Sequence, residues 1–295
     1  MSALGDLSGD LARLVAAAAP AVVGIVHRRG HGSGLALSED GYVLTNSHVA
    51  RAPGRLQVRV ADEAATLPAT LVGSDPLTDL AVLRVDRRLP APLRLAEEPG
   101  VQVGELVVAI GNPHGLERSV SLGVVSALHR SLPTGPGSVL EGLIQTDAAV
   151  NPGSSGGPLL DTGGRVAGIT TAMLAFARGI SFAVPARTAA WVAAVLLQRG
   201  EVRRPYIGIT ARSEARDGAG RAVRVLGVEP GGPAAAAGLR AGDLLLSADH
   251  WELRTVDDLQ RTMVLAGHPA LTLEVERDGQ RRDLLVSPAA RPQAA

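Results

Sequence analysis

The sequence predicts a mainly β protein in which a long all-β region is followed by a small α+β unit. Short apolar runs recur from Ala21 to Val184 between Gly, Asp and Pro turns, and about ten such runs indicate a barrel or a sandwich. After Pro185 the pattern changes to an Ala-, Val- and Leu-rich helix, and a charged stretch then precedes a smaller unit. The length of 295 residues agrees with roughly two domains.

The predicted boundaries follow these changes in composition. Residues 1–200 form the β-rich domain, which starts with a helix over residues 7–19 that Pro20 ends. Residues 201–205 are charged and lack an apolar period, so they are predicted to be a linker. Residues 206–290 form the second domain, and residues 291–295 a frayed tail.

Individual elements are predicted from the apolar runs and the turns that flank them. In the first domain, strands are expected at Ala21–His27, Leu35–Leu37, Tyr42–Thr45, Leu56–Val60, Ala69–Gly73, Leu80–Val85, Leu106–Ile110, Val120–Ala127, Leu140–Thr146, Arg165–Ala172 and Ile180–Val184. Gly30–Gly34 is expected to be a turn, and the helix Ala186–Gln198 to end at Gly200. In the second domain, strands are expected at Tyr206–Thr210, Val223–Val228, Leu244–Ser247, Leu271–Glu276 and Arg282–Val286, and helices at Pro233–Ala237 and Thr255–Leu265.

Composition limits the function classes. Hydrophobic residues make up 46% and aromatic residues only 2%, so Val, Leu, Ile and Ala must form the core. Basic and acidic residues balance at 29 each, which gives no electrostatic footprint for nucleic acid or an anionic membrane. The chain has no Cys, which excludes disulfides and thiolate metal sites, and no His, Asp or Glu spacing predicts a metal or a cofactor.

The N-terminal sequence predicts neither an export signal nor a membrane span. Residues Met1–Asp10 carry two acidic residues and no basic one, the reverse of a basic leader. The apolar run Leu14–Val26 is too short to span a bilayer and is interrupted by Pro20. Taken literally, the chain is cytoplasmic, or it is the processed part of a longer precursor.

The stretch Asn151–Leu159 holds two adjacent serines among three glycines and two prolines. A tight loop of this composition can turn its N–H groups inward and expose one hydroxyl, the geometry that nucleophilic attack on a carbonyl needs. A plain Gly/Ser/Pro turn is the alternative.

A serine nucleophile needs a base, and seven histidines are available. His48 follows the strand Tyr42–Thr45, where a loop can display it, although a structural histidine is equally compatible with this position. The others lie in turns, near strand ends or among charges: His27, His31, His114, His129, His250 and His268.

A carboxylate usually orients such a base. Asp79 begins the apolar run Asp79–Leu83 and is therefore the candidate for a desolvated acid, whereas Asp75 and Asp86 are expected to be solvated in turns and Asp147 to bond locally. The order His48, Asp79, Ser155 is the order found in chymotrypsin.

The sequence resembles the HtrA/Deg family of chymotrypsin-like serine proteases in three segments: Thr45–Val49, Thr78–Leu83 and Gly153–Leu159. Gly32–Gly34, Ile110–Pro113 and Gln145–Asn151 support the resemblance, which runs from about Ala19 to about Ser287. The resemblance implies a chymotrypsin-like double β-barrel and an ATP-independent endopeptidase that degrades unfolded or damaged proteins.

For the catalytic residues, the resemblance implies that Ser155 is the nucleophile, His48 the general base and then acid, and Asp79 the orienting carboxylate. The N–H groups of Gly153 and Ser155 are implied to form the oxyanion hole. Position 154 departs from the family, which usually has Asn there, so two hydroxyls compete; the register of the following Gly-Gly-Pro favours Ser155.

The resemblance also places substrate-binding residues. Ala149 lies six residues before Ser155, near the base of the S1 pocket, and with Val150 offers no charge for Lys or Arg, so cleavage after small or medium aliphatic residues is expected. An edge strand over Thr170, Thr171, Ala172 and Met173 is expected to pair with the substrate backbone. The next loop, Leu174–Gly179, is shorter than in better-known relatives.

In the second domain, Tyr206–Ile209, Gly231–Leu239 and Gly242–Leu245 resemble a bacterial PDZ domain. The resemblance implies capture of C-terminal peptides by β-augmentation, in a groove formed by Tyr206, Ile207, Gly208, Ile209, Leu259 and Met263. A small αβ domain without a ligand is the alternative.

Partners follow from the family. Unfolded proteins and C-terminal peptides are expected, as is a homotrimer, although Met1–Ala19 lacks the aromatic residues that often support one. The resemblance favours a location in the bacterial cell envelope. A protease-like scaffold or chaperone is the alternative function, and an α/β-hydrolase esterase is excluded by the triad order and by the missing alternation of strands with long helices.

Overall fold

The computed structural model describes residues 3–28, 30–60, 65–96, 100–112, 119–135, 138–173, 179–216, 220–267 and 269–290. The chain divides into two compact units, Met1–Val202 and Arg203–Ala295. The predicted mainly β fold is confirmed, with strands in both units. No helix in the described part of the chain is long and apolar enough to cross a membrane.

The first unit consists of two closed six-stranded barrels. The first barrel has the strand order β1-β2-β3-β6-β5-β4 and the second β10-β11-β12-β9-β8-β7. The strands are β1 Val22–His27, β2 Gly30–Ala36, β3 Tyr42–Thr45, β4 Leu56–Arg59, β5 Leu67–Asp75, β6 Leu80–Val85, β7 Leu106–Gly111, β8 Ser119–Gly135, β9 Ser138–Thr146, β10 Pro158–Asp161, β11 Val166–Met173 and β12 Ser181–Pro185.

Each barrel closes around its own aliphatic core, as the scarcity of aromatic residues requires. Ile25, Val43 and Leu83 are among the fully buried residues of the first core. Val125 and Leu159 are fully buried in the second.

The prediction of a turn at Gly30–Gly34 is wrong, because this stretch is the first part of β2. The strand pairs with β1 from His27↔Gly30 to Val22↔Leu35. Its glycines serve close packing: a Cβ at Gly32 would lie 2.5 Å from Val49 Cγ1. Strand β10 was not predicted, because it has only four residues and directly follows the Gly/Ser/Pro stretch.

In the described part of this unit, three helices accompany the barrels: α1 Ala3–Ala18, α2 Ser47–Ala50 and α3 Ala186–Arg199. The prediction of residues 7–19 for the first was wrong at its start, since the helix begins at Ala3, and a single 3-10 turn containing Pro20 follows it. Helix α3 ends as predicted at Gly200, whose φ of 73° is left-handed.

The described residues of the second unit form a sheet of six strands with two helices. Five strands lie in the order β13-β14-β15-β17-β18, and β16 pairs with β15. The elements are β13 Ile209–Arg216, β14 Gly220–Val228, α4 Pro233–Ala236, β15 Leu244–Ala248, β16 Trp251–Glu252, α5 Val256–Ala266, β17 Leu271–Arg277 and β18 Gln280–Val286. A capping box between Thr255 and Asp258 starts α5.

Candidate active site

Asp79 holds His48 through both of its carboxylate oxygens. His48 lies in α2, directly after β3, and its Nδ1 is 2.8 Å from Asp79 Oδ2. The backbone N–H of His48 donates to Asp79 Oδ1 at 3.0 Å. Because an ionised carboxylate only accepts, the neutral ring carries its proton on Nδ1 and leaves Nε2 as an acceptor.

The Asp79 carboxylate is fixed from several sides. Asp79 lies between β5 and β6 with a left-handed φ of 56°, and it is only 8% exposed. Its backbone carbonyl accepts from the Asn46 side chain at 2.9 Å and from the Ser47 N–H at 3.0 Å. The hydroxyl of Thr171 donates to Asp79 Oδ2. These bonds support a conformation that is unfavourable for a residue with a Cβ.

The serine stretch forms a tight turn whose last residue is buried. Ser154 N–H donates to Asn151 O at 2.9 Å, with Pro152 second and Gly153 third at φ 96°, as in a type II turn. Ser154 is 8% exposed, and a Cβ added at Gly111 would lie 2.8 Å from its Oγ. Of the two hydroxyls, that of Ser155 is therefore the more accessible.

The Ser155 hydroxyl donates to Thr171 O at 2.9 Å. A hydroxyl has one proton, so in this arrangement Ser155 does not donate to His48. The structure thus joins His48 to Asp79 directly, and it joins Ser155 to the same pair through Thr171.

Two N–H groups beside Ser155 are available to a ligand. The N–H groups of Ser154, Gly156 and Gly157 donate to Asn151 O, Thr170 O and Ser154 O, at 2.9, 2.7 and 3.0 Å. Within the described residues, the N–H groups of Gly153 and Ser155 donate to no protein acceptor. Two free donors next to a hydroxyl can stabilise a developing oxyanion.

Three buried residues that sequence analysis assigned no role also support the site: Ser33, Thr45 and Asn46. Ser33 N–H donates to Ser155 O at 2.8 Å, and Thr45 Oγ1 donates to Ser33 O at 2.7 Å. These residues could have been found from the sequence, because they lie in the segments that carry the family resemblance.

The predicted substrate-binding residues divide into two groups. Ala149 is exposed, and its carbonyl accepts from Ser121 Oγ at 2.8 Å, whereas Val150 is buried. Thr170 differs from the prediction, because its N–H and carbonyl bond Gly157 and Gly156 and are not open to a peptide.

Beyond Thr170, β11 continues through Thr171 to Ala172 and Met173, which pair with β12 at Phe182 and Ser181. The register shifts between Thr170 and Ala172. The extra residue of this bulge is Thr171, and bulges next to active sites commonly re-aim a side chain. Most of the loop after Met173, residues 174–178, lies outside the described residues.

The structure also shows the surroundings of the acidic residues that were not predicted to orient the histidine. Asp75 was expected to be solvated, but it is buried and its Oδ2 accepts from Thr78 Oγ1 at 2.6 Å. Asp86 is exposed, and Asp147 Oδ1 accepts not from its own loop but from the Val124 N–H of β8 at 2.7 Å. In the described part of the chain, no group of three His, Asp or Glu residues could hold a metal ion.

Of the other histidines, His27 interacts with the site electrostatically. Partial burial, followed by the like charges of His31 and His48, lowers the pKa of His27. His114 and His268 lie outside the described residues.

In the second unit, the candidate peptide groove is bounded by β13 and α5. Strand β13 pairs with β14 on one side only among the described strands, and an unpaired edge can accept an extended peptide. Within the described residues, the N–H groups of Ile207 and Gly208 have no acceptor. Gly208 has a left-handed φ of 78°.

The other predicted groove residues contribute differently. Tyr206 was expected to belong to a strand starting there, but its N–H and carbonyl instead bond Ala289 at 2.7 and 2.8 Å. Leu259 and Met263 are buried in the core of this unit, against which Ile209 and Ala211 pack from β13.

Comparisons with known proteins agree with this architecture. Residues 32–169 match the family described as "Trypsin-like peptidase domain", and residues 224–277 match "PDZ domain". HhoB of Synechocystis sp. is 37% identical over 283 residues, which are 90% of this chain and 68% of HhoB. A Halomonas elongata protein described as "Probable periplasmic serine endoprotease DegP-like" is 38% identical over 276 residues. This chain spans only 56% of that relative's length.

Solved structures are similar along nearly the whole chain. The "HtrA-type protease AlgW with tripeptide" has a TM-score of 0.75 and 36% identity, and the match covers 96% of this chain and 98% of that one. The serine endoprotease from Yersinia pestis has a TM-score of 0.68 and 34% identity, with coverage of 95% and 98%.

The double barrel and the second unit together define a trypsin-like peptidase joined to a PDZ domain. With relatives above 30% identity covered over most of their length, the chain belongs to the family of HtrA-type serine proteases.

Proposed function

We propose that the protein hydrolyses peptide bonds of unfolded or damaged proteins through His48, Asp79 and Ser155. The observation that carries the proposal is the double hold of Asp79 on His48, at 2.8 Å to the ring and 3.0 Å to the backbone. This hold leaves Nε2 as the acceptor that a serine proton requires.

The proposed reaction begins with rotation of the Ser155 side chain away from Thr171 O. Ser155 Oγ attacks the substrate carbonyl carbon while its proton passes to His48 Nε2, and the N–H groups of Gly153 and Ser155 bind the resulting oxyanion. Collapse of this intermediate breaks the C–N bond, and His48 gives the proton to the leaving amine. Water, activated in turn by His48, then releases the acyl group from Ser155.

The proposed specificity is for small or medium aliphatic residues before the scissile bond. Ala149 and Val150 bring no charge to the pocket, and the side of β11 that faces away from β12 at Ala172 and Met173 would hold the substrate backbone. A peptide library should show cleavage after Ala, Val or similar residues, and strong cleavage after Arg would contradict the assignment.

For the PDZ unit, the proposed ligand is a protein C-terminus. The free N–H groups of Ile207 and Gly208 would bind the carboxylate, and the edge of β13 would pair with the peptide backbone. A homotrimer is proposed from family membership; light scattering after size exclusion that gives a monomer at micromolar concentration would contradict it.

Digestion of casein, an unfolded protein, tests the proposal. The wild type should cleave it, Ser155→Ala should not, and Ser154→Ala should retain cleavage. Loss of casein cleavage in Ser154→Ala alone would identify Ser154, and not Ser155, as the nucleophile. No cleavage by the wild type, with or without an apolar C-terminal peptide, would contradict the protease and favour a scaffold.

A further inference from the structure

Ser33, in β2 of the first barrel, is hydrogen-bonded to the serine loop that lies between β9 and β10 of the second barrel. It is fully buried, and each of its polar groups is hydrogen-bonded. Its N–H holds Ser155 O at 2.8 Å, and its hydroxyl contacts Gly153 O at 2.7 Å and Asn112 N–H at 2.8 Å. The residue therefore binds both positions whose N–H groups are proposed to stabilise the oxyanion.

The direction of the Ser33 hydroxyl bond is determined by its neighbours. The N–H of Asn112 can only donate, so the Ser33 oxygen accepts from it. Gly153 O can only accept, so the single hydroxyl proton of Ser33 lies on that carbonyl.

This bond fixes one peptide plane of the loop. In a trans peptide, the C=O of Gly153 and the N–H of Ser154 point in opposite directions. Ser33 Oγ holds the first and Asn151 O the second, at 2.7 and 2.9 Å. With both ends held, the plane cannot rotate without breaking a hydrogen bond.

The next peptide plane is fixed from the other barrel. Ser154 O accepts from Gly157 N–H at 3.0 Å and lies 2.8 Å from Thr170 Oγ1, whose single proton is shared between Ser154 O and Gly157 O at 3.1 Å. The N–H of Ser155, in the same peptide, must then point the opposite way. Ser33 thus holds the peptide plane that lies between the two donor peptides, and the peptide that carries the Ser155 N–H is held through Ser154 O by Gly157 and Thr170.

Because Gly153 has a flexible backbone, its conformation depends on the hydrogen bond from the Ser33 hydroxyl. Gly153 has a left-handed φ of 96° and can adopt other backbone conformations at little steric cost. Without the hydroxyl, the Gly153 carbonyl would lose a buried partner and the adjoining peptide could rotate, turning the Gly153 N–H away from the cleft.

We propose that Ser33 is a positioning residue that keeps the Gly153 N–H aimed at the oxyanion. This inference rests on the proposed function. It predicts an effect on the transition state, because the oxyanion forms only there, and little effect on the binding of uncleaved peptide.

The test compares Ser33→Ala with the wild type on a small chromogenic peptide. Loss of one oxyanion donor typically lowers turnover about 10²–10³-fold, so loss of its positioning should lower kcat about 10- to 100-fold, with KM changed less than about threefold. A peptidyl boronic acid, whose adduct with Ser155 places an oxygen in the oxyanion hole, should bind more weakly by a similar factor. In a Ser155→Ala background, the Kd of the uncleaved peptide should stay the same with and without Ser33→Ala.

Two further variants separate positioning from folding. Val58→Ala removes fully buried apolar volume in the same barrel; it should lower the melting temperature and leave kcat unchanged. Ser33→Cys keeps a weak donor and should recover part of the lost kcat. If Ser33→Ala does not fold, Ser33→Cys is measured by the same criteria.

Contradictory results are distinguishable from failure of the proposed function. An inactive wild type would overturn the protease itself. An active wild type with a kcat of Ser33→Ala within twofold would overturn only the role of Ser33. Equal weakening of the boronic acid and of the uncleaved peptide would also overturn it, because that pattern shows a general loss of structure.

Discussion

Asp79 binds His48 twice, with one carboxylate oxygen 2.8 Å from the ring Nδ1 and the other 3.0 Å from the backbone N–H. The two bonds fix both the position of α2 and the orientation of the imidazole. The first prediction tests this relationship.

Asp79→Asn should lower kcat by about 10⁴-fold while the protein stays folded. The amide nitrogen cannot accept the Nδ1 proton, so the ring would be held in the wrong tautomer; the magnitude is that of the corresponding change in chymotrypsin-like enzymes. Steady-state kinetics on a peptide substrate measure the effect. Asp75→Asn is the matched control, since Asp75 is also buried and bonds Thr78. Similar losses in both variants would contradict the role of Asp79.

Gly156→Ala should inactivate the enzyme and destabilise it by about 1–3 kcal/mol. Gly156 has a left-handed φ of 91°, and an added Cβ would overlap Ser33 O and Thr45 Oγ1. Gly164→Ala is the control, because its φ of 76° is also left-handed but no atom lies within 4 Å of the added Cβ. Thermal unfolding and casein digestion together should show that only Gly156→Ala loses activity.

In the PDZ unit, a peptide with a free C-terminal carboxylate should bind at least about tenfold more tightly than the same peptide with a C-terminal amide. The N–H groups of Ile207 and Gly208 supply donors for a negative group, and charge-assisted hydrogen bonds are the stronger kind. Fluorescence anisotropy with the full chain measures both affinities. Equal affinities would contradict the proposed carboxylate site.

Arg277→Met should destabilise the PDZ unit by about 3 kcal/mol, because it leaves a buried carboxylate without its partner. Asp243 is 1% exposed, and both of its oxygens accept from Arg277 at 2.6 Å. Urea unfolding monitored by Trp251 fluorescence measures the loss. Arg281→Met, which removes an exposed ion pair with Glu274, should cost much less.

The loss of stability of the same unit at acid pH should be smaller in Arg277→Met. Burial opposes ionisation of Asp243, but the Arg277 hydrogen bonds and the Arg240 N–H outweigh it and lower the pKa of Asp243. In the wild type this stability is complete above the ordinary value of about 3.9 and is lost as pH falls through the lowered value. In the variant, burial is opposed only by the Arg240 N–H and the charge of Arg282, so the pKa of Asp243 is lowered less and less stability should be lost as pH falls. Parallel pH profiles in the two proteins would contradict this account.

The strands that carry the site were largely predictable. Strands β3 and β6 agree with the predicted bounds, because each is an apolar run that ends at a turn or a polar residue. The end of α3 at Gly200 was predictable for the same kind of local reason. The start of α1 was predicted four residues too late, although Ser2, a residue type that commonly caps helices, directly precedes Ala3 in the sequence.

The hydrogen-bond partners of the site could not be predicted from local patterns. Ser33 contacts Asn112 and Gly153, which are 79 and 120 residues away in the chain. Its glycine neighbours suggested a turn, whereas closure of the barrel makes it part of β2. The Thr171 bond to Asp79 also depends on a bulge, which the alternating pattern of a strand does not reveal.

An alkyl fluorophosphonate, which phosphonylates an activated serine and releases fluoride, identifies the nucleophile by the position of its covalent label. Peptide mapping by tandem mass spectrometry distinguishes the adjacent residues Ser154 and Ser155. We expect one adduct, on Ser155 Oγ, that is strongly reduced in Asp79→Asn. An adduct on Ser154, or no adduct on a protein that still digests casein, would contradict the assignment of Ser155 as the nucleophile.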